Sequence, residues 1–481
     1  MPSLSPLLTA SAVELARKIR SREASSHDVV LAHVERAREV NGKLNAIVAT
    51  RYDEALREAE RADAVLQGSS ANDVGPLHGV PCTIKECFAL EGMPQTSGLV
   101  ARRDYRAPAD ATAVRRLRAA GAIPIGVTNT SELCMWMESN NRVYGRTNNP
   151  YDVRCIVGGS SGGEGAIIAS GASPFGLGSD IGGSIRNPAF FNGIFGHKPT
   201  SGTVPNTGQF PLAENAAGRY LVTGPLARRA EDLMPLLRIM AGPDGEDPAC
   251  EARELGDPAP VSLRGMRVLH VPDNGSLSVS GELRGAQDRV AEHLARQGAN
   301  VERHHFPRLR RSIEIWSSML AEAGGTPFGV LLGDGTPVAV FSQLLRWAVG
   351  RSPHTLPALG LALIERYVKG SPKRITHFVE EGRRLADEIR TALGPEGVML
   401  YPVYPETAPR HSRPLVPPTR WVYPAILNVL EMPSTAVPLG LGKGGLPLGI
   451  QVASAPGNDH VTIAVAIELE HAFGGWSAPG L

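Results

Sequence analysis

Two glycine clusters, each centred on serine, constrain this chain more than any other feature. The first reads Gly158-Gly159-Ser160-Ser161-Gly162-Gly163-Glu164-Gly165, the second Ser179-Asp180-Ile181-Gly182-Gly183-Ser184-Ile185-Arg186. Glycine admits backbone dihedrals and close contacts that a Cβ forbids. Each cluster therefore marks either a tight turn or a loop that aims backbone amides at a reacting group. Lys85, one of seven lysines, lies upstream in the apolar run Gly79-Val80-Pro81-Cys82-Thr83-Ile84-Lys85-Glu86-Cys87-Phe88. Two framed serines and a lysine in apolar sequence are the parts of a serine nucleophile whose base is lysine, not histidine.

At 481 residues the chain exceeds the usual size of a single core, so one large domain or two ordinary ones are the options. With 42% hydrophobic and 20% charged residues it reads as globular. Its net charge of +1 comes without the basic patch or tail of a nucleic-acid binder. Cys82, Cys87, Cys134, Cys155 and Cys250 are scattered and lack CxxC spacing. Neither a disulfide framework nor a metal site is expected, and no cofactor. The first residues lack a basic stretch followed by an apolar one, and no segment approaches the ~20 apolar residues that span a bilayer. The expectation is a reduced, cytoplasmic protein.

The first seventy residues have helical spacing. Ser11 with Glu14 and Ser25 with Asp28 give capping signals, and a third helix is expected over 53–67. From Val74 onward strands and helices alternate. Asp110 is expected to cap a helix through Ala120, before a buried strand over 123–127. A short helix over 166–170 and a strand over 175–177 join the glycine clusters. Residues 242–260 read as an exposed loop. A strand, helix and strand follow over 267–304, then a mostly helical stretch over 308–393. Buried-strand composition returns at 398–401, 435–439 and 448–453. Such alternation favours an α/β fold with a central mixed sheet.

A serine hydroxyl is a poor nucleophile unless an adjacent base takes its proton. Lysine is such a base only when neutral, which desolvation or nearby positive charge favours. Val80, Ile84, Phe88 and Leu90 fit a buried Lys85; the alternative is a packed stem whose head reaches solvent. Ile181-Gly182-Gly183-Ser184 can present several N–H groups to one oxyanion, or be a strand-to-helix turn with serine as N-cap. Gly158, Ser160 and Gly162 also satisfy the G-x-S-x-G elbow, with Asp459 and His460 as candidate partners. An elbow follows a strand directly, whereas 148–152 reads as loop.

The two clusters, followed by Gly196-His197-Lys198-Pro199-Thr200, resemble the amidase signature family. Gly79-Val80-Pro81 with Lys85, Thr128-Asn129, Gly145-x-Thr147-x-Asn149-Pro150 and Gly445-Leu446-Pro447-x-Gly449-Ile450-Gln451 fit the same pattern. The resemblance covers nearly the whole chain and is weakest across 250–400. Within the family, residues 131–136, 188–199, 204–211 and 473–476 are similar to the fatty acid amide hydrolases of the second type. The animal enzymes begin with a hydrophobic anchor; this chain opens on amphipathic helices, so permanent membrane anchoring is not the expectation. The resemblance implies a single amidase domain over 1–481. Its parts are a helical layer over 1–70, a signature core over 75–240, a helical insertion or lid over 306–395, and a return to the sheet over 396–481.

Carried onto this sequence, the resemblance implies Ser184 as nucleophile, Ser160 as proton relay after a cis bond from Gly159, and Lys85 as base. The amides of Ile181, Gly182, Gly183 and Ser184 form the oxyanion hole. Ser161, Asp180 and Arg186 support the loop, and Cys134, Met135 and Trp136 line the acyl pocket; simple core packing is the alternative for that triplet. His78 and His197 read as structural. Residues 338–364, with Phe341, Leu345 and Trp347 among apolar neighbours and Arg346 and Arg351 between, form either a membrane-touching lid or ordinary covering helices. The expected activity is cleavage of an apolar acyl or aryl amide through an acyl-enzyme, with no nucleic-acid partner. A homodimer is implied by the resemblance alone. The alternatives are a glutamine-dependent amidotransferase subunit, an esterase using Ser160, and a silent scaffold on the same fold.

Overall fold

Ser11 and Ser25 begin the outer helical layer as the sequence leads one to expect: their hydroxyls accept the amides of Glu14 and Asp28. In the computed structural model these caps start α2 (Ala12–Arg20) and α3 (Ser26–Leu44), after the single turn α1 (Pro6–Thr9) and before α4 (Tyr52–Gly68). The structure describes residues 4–68, 73–367 and 371–481. The ends of the 1–70 layer and residues 368–370 of the 306–395 stretch lie outside the described residues.

Between those helices and the C-terminus runs a twisted mixed sheet. Its first strands are β1 (Ile47–Thr50), β2 (Pro81–Lys85) and β3 (Ile123–Thr128). A small ribbon, β4 (Asn140–Asn141) with β5 (Gly145–Arg146), stands apart. The sheet continues with β6 (Phe175–Asp180), β7 (Phe195–Lys198), β8 (Val222–Ala227), β9 (Arg267–His270), β10 (Asn300–Arg303), β11 (Val398–Tyr401), β12 (Ser434–Leu441) and β13 (Pro447–Ser454). The strand order is β1-β3-β2-β6-β8-β7-β12-β13-β11-β9-β10, eleven strands in all. The fold is thus α/β with a mixed sheet. β2 lies parallel to both β3 and β6, while β6 pairs antiparallel with β8.

Two sequence expectations shift. The helix α5 (Thr112–Ala119) is capped by Ala111 and not by Asp110. Asp110 instead accepts the Glu91 amide and pairs with Arg118, because those donors reach its carboxylate first. The helix α6 (Gly162–Ala169) starts inside the first glycine cluster instead of after it. Glycine is a poor helix former, but every residue of α6 is buried, and packing overrides propensity.

The remaining helices are α7 (Arg186–Phe191), α8 (Leu233–Met240), α9 (Gly281–Arg296), α10 (Ser312–Ala323), α11 (Phe328–Leu332), α12 (Val340–Ala348), α13 (Leu356–Tyr367), α14 (Pro372–Leu393), α15 (Val422–Val429) and α16 (Asp459–Phe473). Most buried apolar side chains form one continuous core around the sheet. A satellite core is separate. It joins Phe328, Leu332, Val340 and Leu359 of α11–α13 to Leu99 and Leu133, with Met135 packed against it. Among the described residues, no helix is long and apolar enough to cross a membrane.

Candidate active site

Parallel neighbours in an α/β sheet open a crevice at their carboxyl ends. β2 ends on Lys85 and the adjacent β6 ends on Ser179 and Asp180, so the lysine and the second glycine cluster meet at one edge of the sheet. The Lys85 side chain is fully buried. Its Nζ donates to Ser160 Oγ at 2.7 Å and to Ser179 Oγ at 2.9 Å. Among the described residues no carboxylate forms an ion pair with it. Burial without a counter-ion is the setting in which a lysine amine serves as a base.

Ser160 reaches the lysine from an unusual turn. The Gly159–Ser160 peptide bond is cis. A Cβ on Gly159 would fall 2.3 Å from the Trp136 carbonyl oxygen, so only glycine fits there. The next residue stitches the clusters together, since the Ser161 amide donates to the Ser184 carbonyl at 3.2 Å. Ser139 Oγ donates to the Ser160 carbonyl and accepts the Gly162 amide, fixing the turn from the other side.

Ser184 is 9% exposed, whereas Ser160 is 1% exposed and Lys85 wholly enclosed. Among the described residues Ser184 Oγ makes no hydrogen bond, so the Ser160–Ser184 leg is open while the Lys85–Ser160 leg is made. Catalytic hydrogen bonds of empty sites commonly close only around substrate. The Gly182 region is half-buried. At Gly183, φ is +111° and a Cβ would lie 2.4 Å from Pro424. The Gly183 amide is occupied: it donates to Asp180 Oδ1 at 2.6 Å.

Asp180 and Arg186 hold this loop. Their buried side chains pair at 2.9 Å, and Asp180 Oδ2 also accepts the Ile185 amide. Burial opposes ionisation of Asp180, but Arg186 and these amides outweigh it and keep the carboxyl well below its ordinary 3.8. Arg186 spends its other donors on the Pro424 carbonyl, Gln451 and Asn428. Asn428 has no motif in the sequence to announce it. Behind Lys85, Thr83 and Thr128 donate to Glu164. Burial pushes Glu164 up to about 8, against those bonds and the nearby Lys85, and so disfavours its charged form.

Cys134, Met135 and Trp136 are half-buried beside the cis serine. Leu133 and Cys134 take left-handed φ of 52° and 59°, which non-glycine residues seldom adopt. At the second glycine cluster, a Cβ on Gly182 would lie 3.6 Å from Trp421 and 3.7 Å from Trp316. The two indoles meet edge to face at 4.7 Å, and Trp316 Nε1 donates to the Ile181 carbonyl. Neither tryptophan carries a motif, so sequence reasoning missed both.

The elbow reading fails on placement. No strand leads into Gly158, and Ser160 Oγ faces lysine. Asp459 instead accepts from His197 and Thr200. His197 lies between Asp459 and the Thr435 hydroxyl in the order of a hydrolase triad, but all three are fully enclosed and reach no substrate. Among the described residues no group of three or more His, Cys, Asp or Glu could hold a metal ion.

The family model described as Amidase matches residues 28–463. Fatty-acid amide hydrolase 2 of Homo sapiens is 45% identical, covering 100% of this chain and 92% of the relative. Fatty-acid amide hydrolase 2-B of Danio rerio is 47% identical with the same coverage of 100% and 92%. Among solved structures, a bacterial aryl acylamidase of the amidase signature enzymes superposes with a TM-score of 0.81 at 25% identity, covering 97% of each chain.

Proposed function

The chain belongs to the amidase family and is a hydrolase of amide C–N bonds; on that premise we propose that it cleaves apolar acyl or aryl amides through Ser184, Ser160 and Lys85. The observation that carries this reading is the buried Lys85 Nζ, 2.7 Å from Ser160 Oγ and without a paired carboxylate. Neutral Lys85 takes a proton from Ser160, which takes one from Ser184 as Ser184 Oγ attacks the amide carbonyl. The resulting oxyanion draws on the amides of Ile181, Gly182 and Ser184; Gly183 joins only by releasing Asp180. Ser160 then passes a proton to the departing nitrogen, because an amine leaves poorly unless protonated as the C–N bond breaks. Water repeats the sequence on the acyl-enzyme, giving acid and amine.

An apolar acyl group is supported by the half-buried Cys134, Met135 and Trp136, the facing indoles of Trp316 and Trp421, and the names of the two vertebrate relatives. A glutamine-dependent amidotransferase would need a small polar pocket, which these side chains do not supply. The outer face of α12 supports a peripheral membrane contact. Phe341 and Leu345 on it and Val349 just past its end recur every four residues and are 59%, 74% and 68% exposed, the pattern of an interfacial helix.

The test is labelling with a fluorophosphonate followed by mapping of the adduct. We expect it on Ser184. An adduct on Ser160, or an unlabelled protein, would overturn the assignment.

A further inference from the structure

The segment carrying Cys134, Met135 and Trp136 is gripped at both ends by the same device. Upstream, buried Glu132 lies with Oε1 2.8 Å from His354 Nδ1, and its Oε2 accepts the Thr355 amide at 2.7 Å. Downstream, buried Glu138 lies with Oε1 2.6 Å from His411 Nδ1, and its Oε2 accepts the Ser412 amide at 3.1 Å. In each case a carboxylate takes one imidazole and the next backbone N–H of a segment more than two hundred positions away in sequence. A carboxylate acceptor calls for a donor at His354 Nδ1, whereas both ring nitrogens of His411 face acceptors, Nε2 lying 3.0 Å from the Val153 carbonyl.

Between the grips the backbone is strained, because consecutive Leu133 and Cys134 are left-handed. Such residues persist only where their surroundings over-determine them. Leu133 itself is a core member of the satellite cluster with α11–α13, and Met135 packs against it. The Glu132–His354 grip therefore does two things. It docks the turn before α13 onto the pocket segment, and it holds the strained turn that sets where Cys134 and Met135 point.

We propose that Glu132 and His354 are positioning residues for acyl-group selectivity, coupling the α11–α13 cap to the shape of the pocket while leaving the Ser184 chemistry alone. This rests on the amidase reading above. Losing the grip leaves Glu132 buried without its imidazole partner, which the segment can relieve only by moving. A pocket wall that moves changes discrimination among apolar groups by about tenfold or more.

The experiment compares the purified full-length enzyme with H354A, H354N and E132Q. It measures kcat and KM on acetyl and decanoyl anilides, alongside the rate of Ser184 labelling by a small fluorophosphonate. Asparagine keeps a side-chain N–H near the position of Nδ1. We expect H354A to raise KM for the decanoyl anilide about tenfold more than for the acetyl anilide. Labelling should stay within about twofold, and H354N should recover most of the selectivity. E132Q, which keeps one acceptor oxygen, should shift selectivity in the same direction and reads the effect if H354A does not fold. Equal changes for both anilides, a matching fall in labelling, or no rescue by H354N would overturn the positioning role. A parent enzyme that neither turns over an anilide nor labels at Ser184 would instead sink the amidase assignment, and the positioning role with it.

Discussion

Around Ser184 the charged side chains of the loop are fully committed, while the serine hydroxyl and the Ile181, Gly182 and Ser184 amides are left open among the described residues. Asp180 serves three backbone amides and a guanidinium, and Arg186 serves a carboxylate, a carbonyl and two side-chain amides. The α11–α13 cap is built the other way. It rests on a satellite core of eight buried side chains and leaves Leu345, Val349 and Ile364 more than half exposed. One region is fixed by buried polar geometry, whose loss is costly and abrupt. The other is held by modest apolar burial plus carboxylate contacts to backbone amides, Glu132 on Thr355 and Glu365 on Phe328 and Gly329, and belongs to the lower-stability end of the molecule, from which substrate-selecting elements are drawn. On the proposed function, chemistry and selection rest on different balances of forces within one chain.

The largest effect that would sharpen this contrast is on the lysine. Lys85→Ala should lower amide turnover by about 10²–10⁴-fold and ester turnover by clearly less, since an ester's leaving group needs less help from a proton. Steady-state rates on matched amide and ester substrates decide it; equal losses would detach Lys85 from leaving-group protonation. Next comes the buried pair. Arg186→Met strands the Asp180 charge and should destabilise the fold by about 3–5 kcal/mol, read by denaturant unfolding. Because Asp180 is held below its ordinary 3.8, the stability the pair contributes is present above that pH and is lost as pH falls below it. Arg186→Met should therefore flatten the acid limb of the stability profile. The smallest effect belongs to the cap. Leu345→Ser with Val349→Ser should change stability by no more than about 0.5 kcal/mol and leave acetyl anilide turnover intact, yet reduce co-sedimentation with phosphatidylcholine vesicles. A loss of stability like that of the core variant would erase the distinction between the regions.

The helical layer was legible because Ser11 and Ser25 cap locally, and local bonds are written in adjacent residues. Asp110 misled for the opposite reason: a capping side chain is also an acceptor for any donor brought near, and Arg118 and the Glu91 amide arrived. The glycine clusters announced a site because close backbone approach leaves few residue choices. Trp316, Trp421, Asn428 and the Glu132–His354 grip were illegible, since each matters only through a partner far away in the chain.

Sequence alone therefore determined the alternation of strands and helices, the family pattern and the identity of the serine and lysine side chains, all of which are encoded by spacing and by steric exclusion around glycine. Only the tertiary structure decided that Lys85 Nζ meets both Ser160 and Ser179, that the Gly183 amide is spent on Asp180, and that two distant histidines grip the segment over 132–138. Hydrogen bonds depend on distance and direction in space, and these are fixed by how eleven strands are ordered in the sheet rather than by where residues fall along the chain.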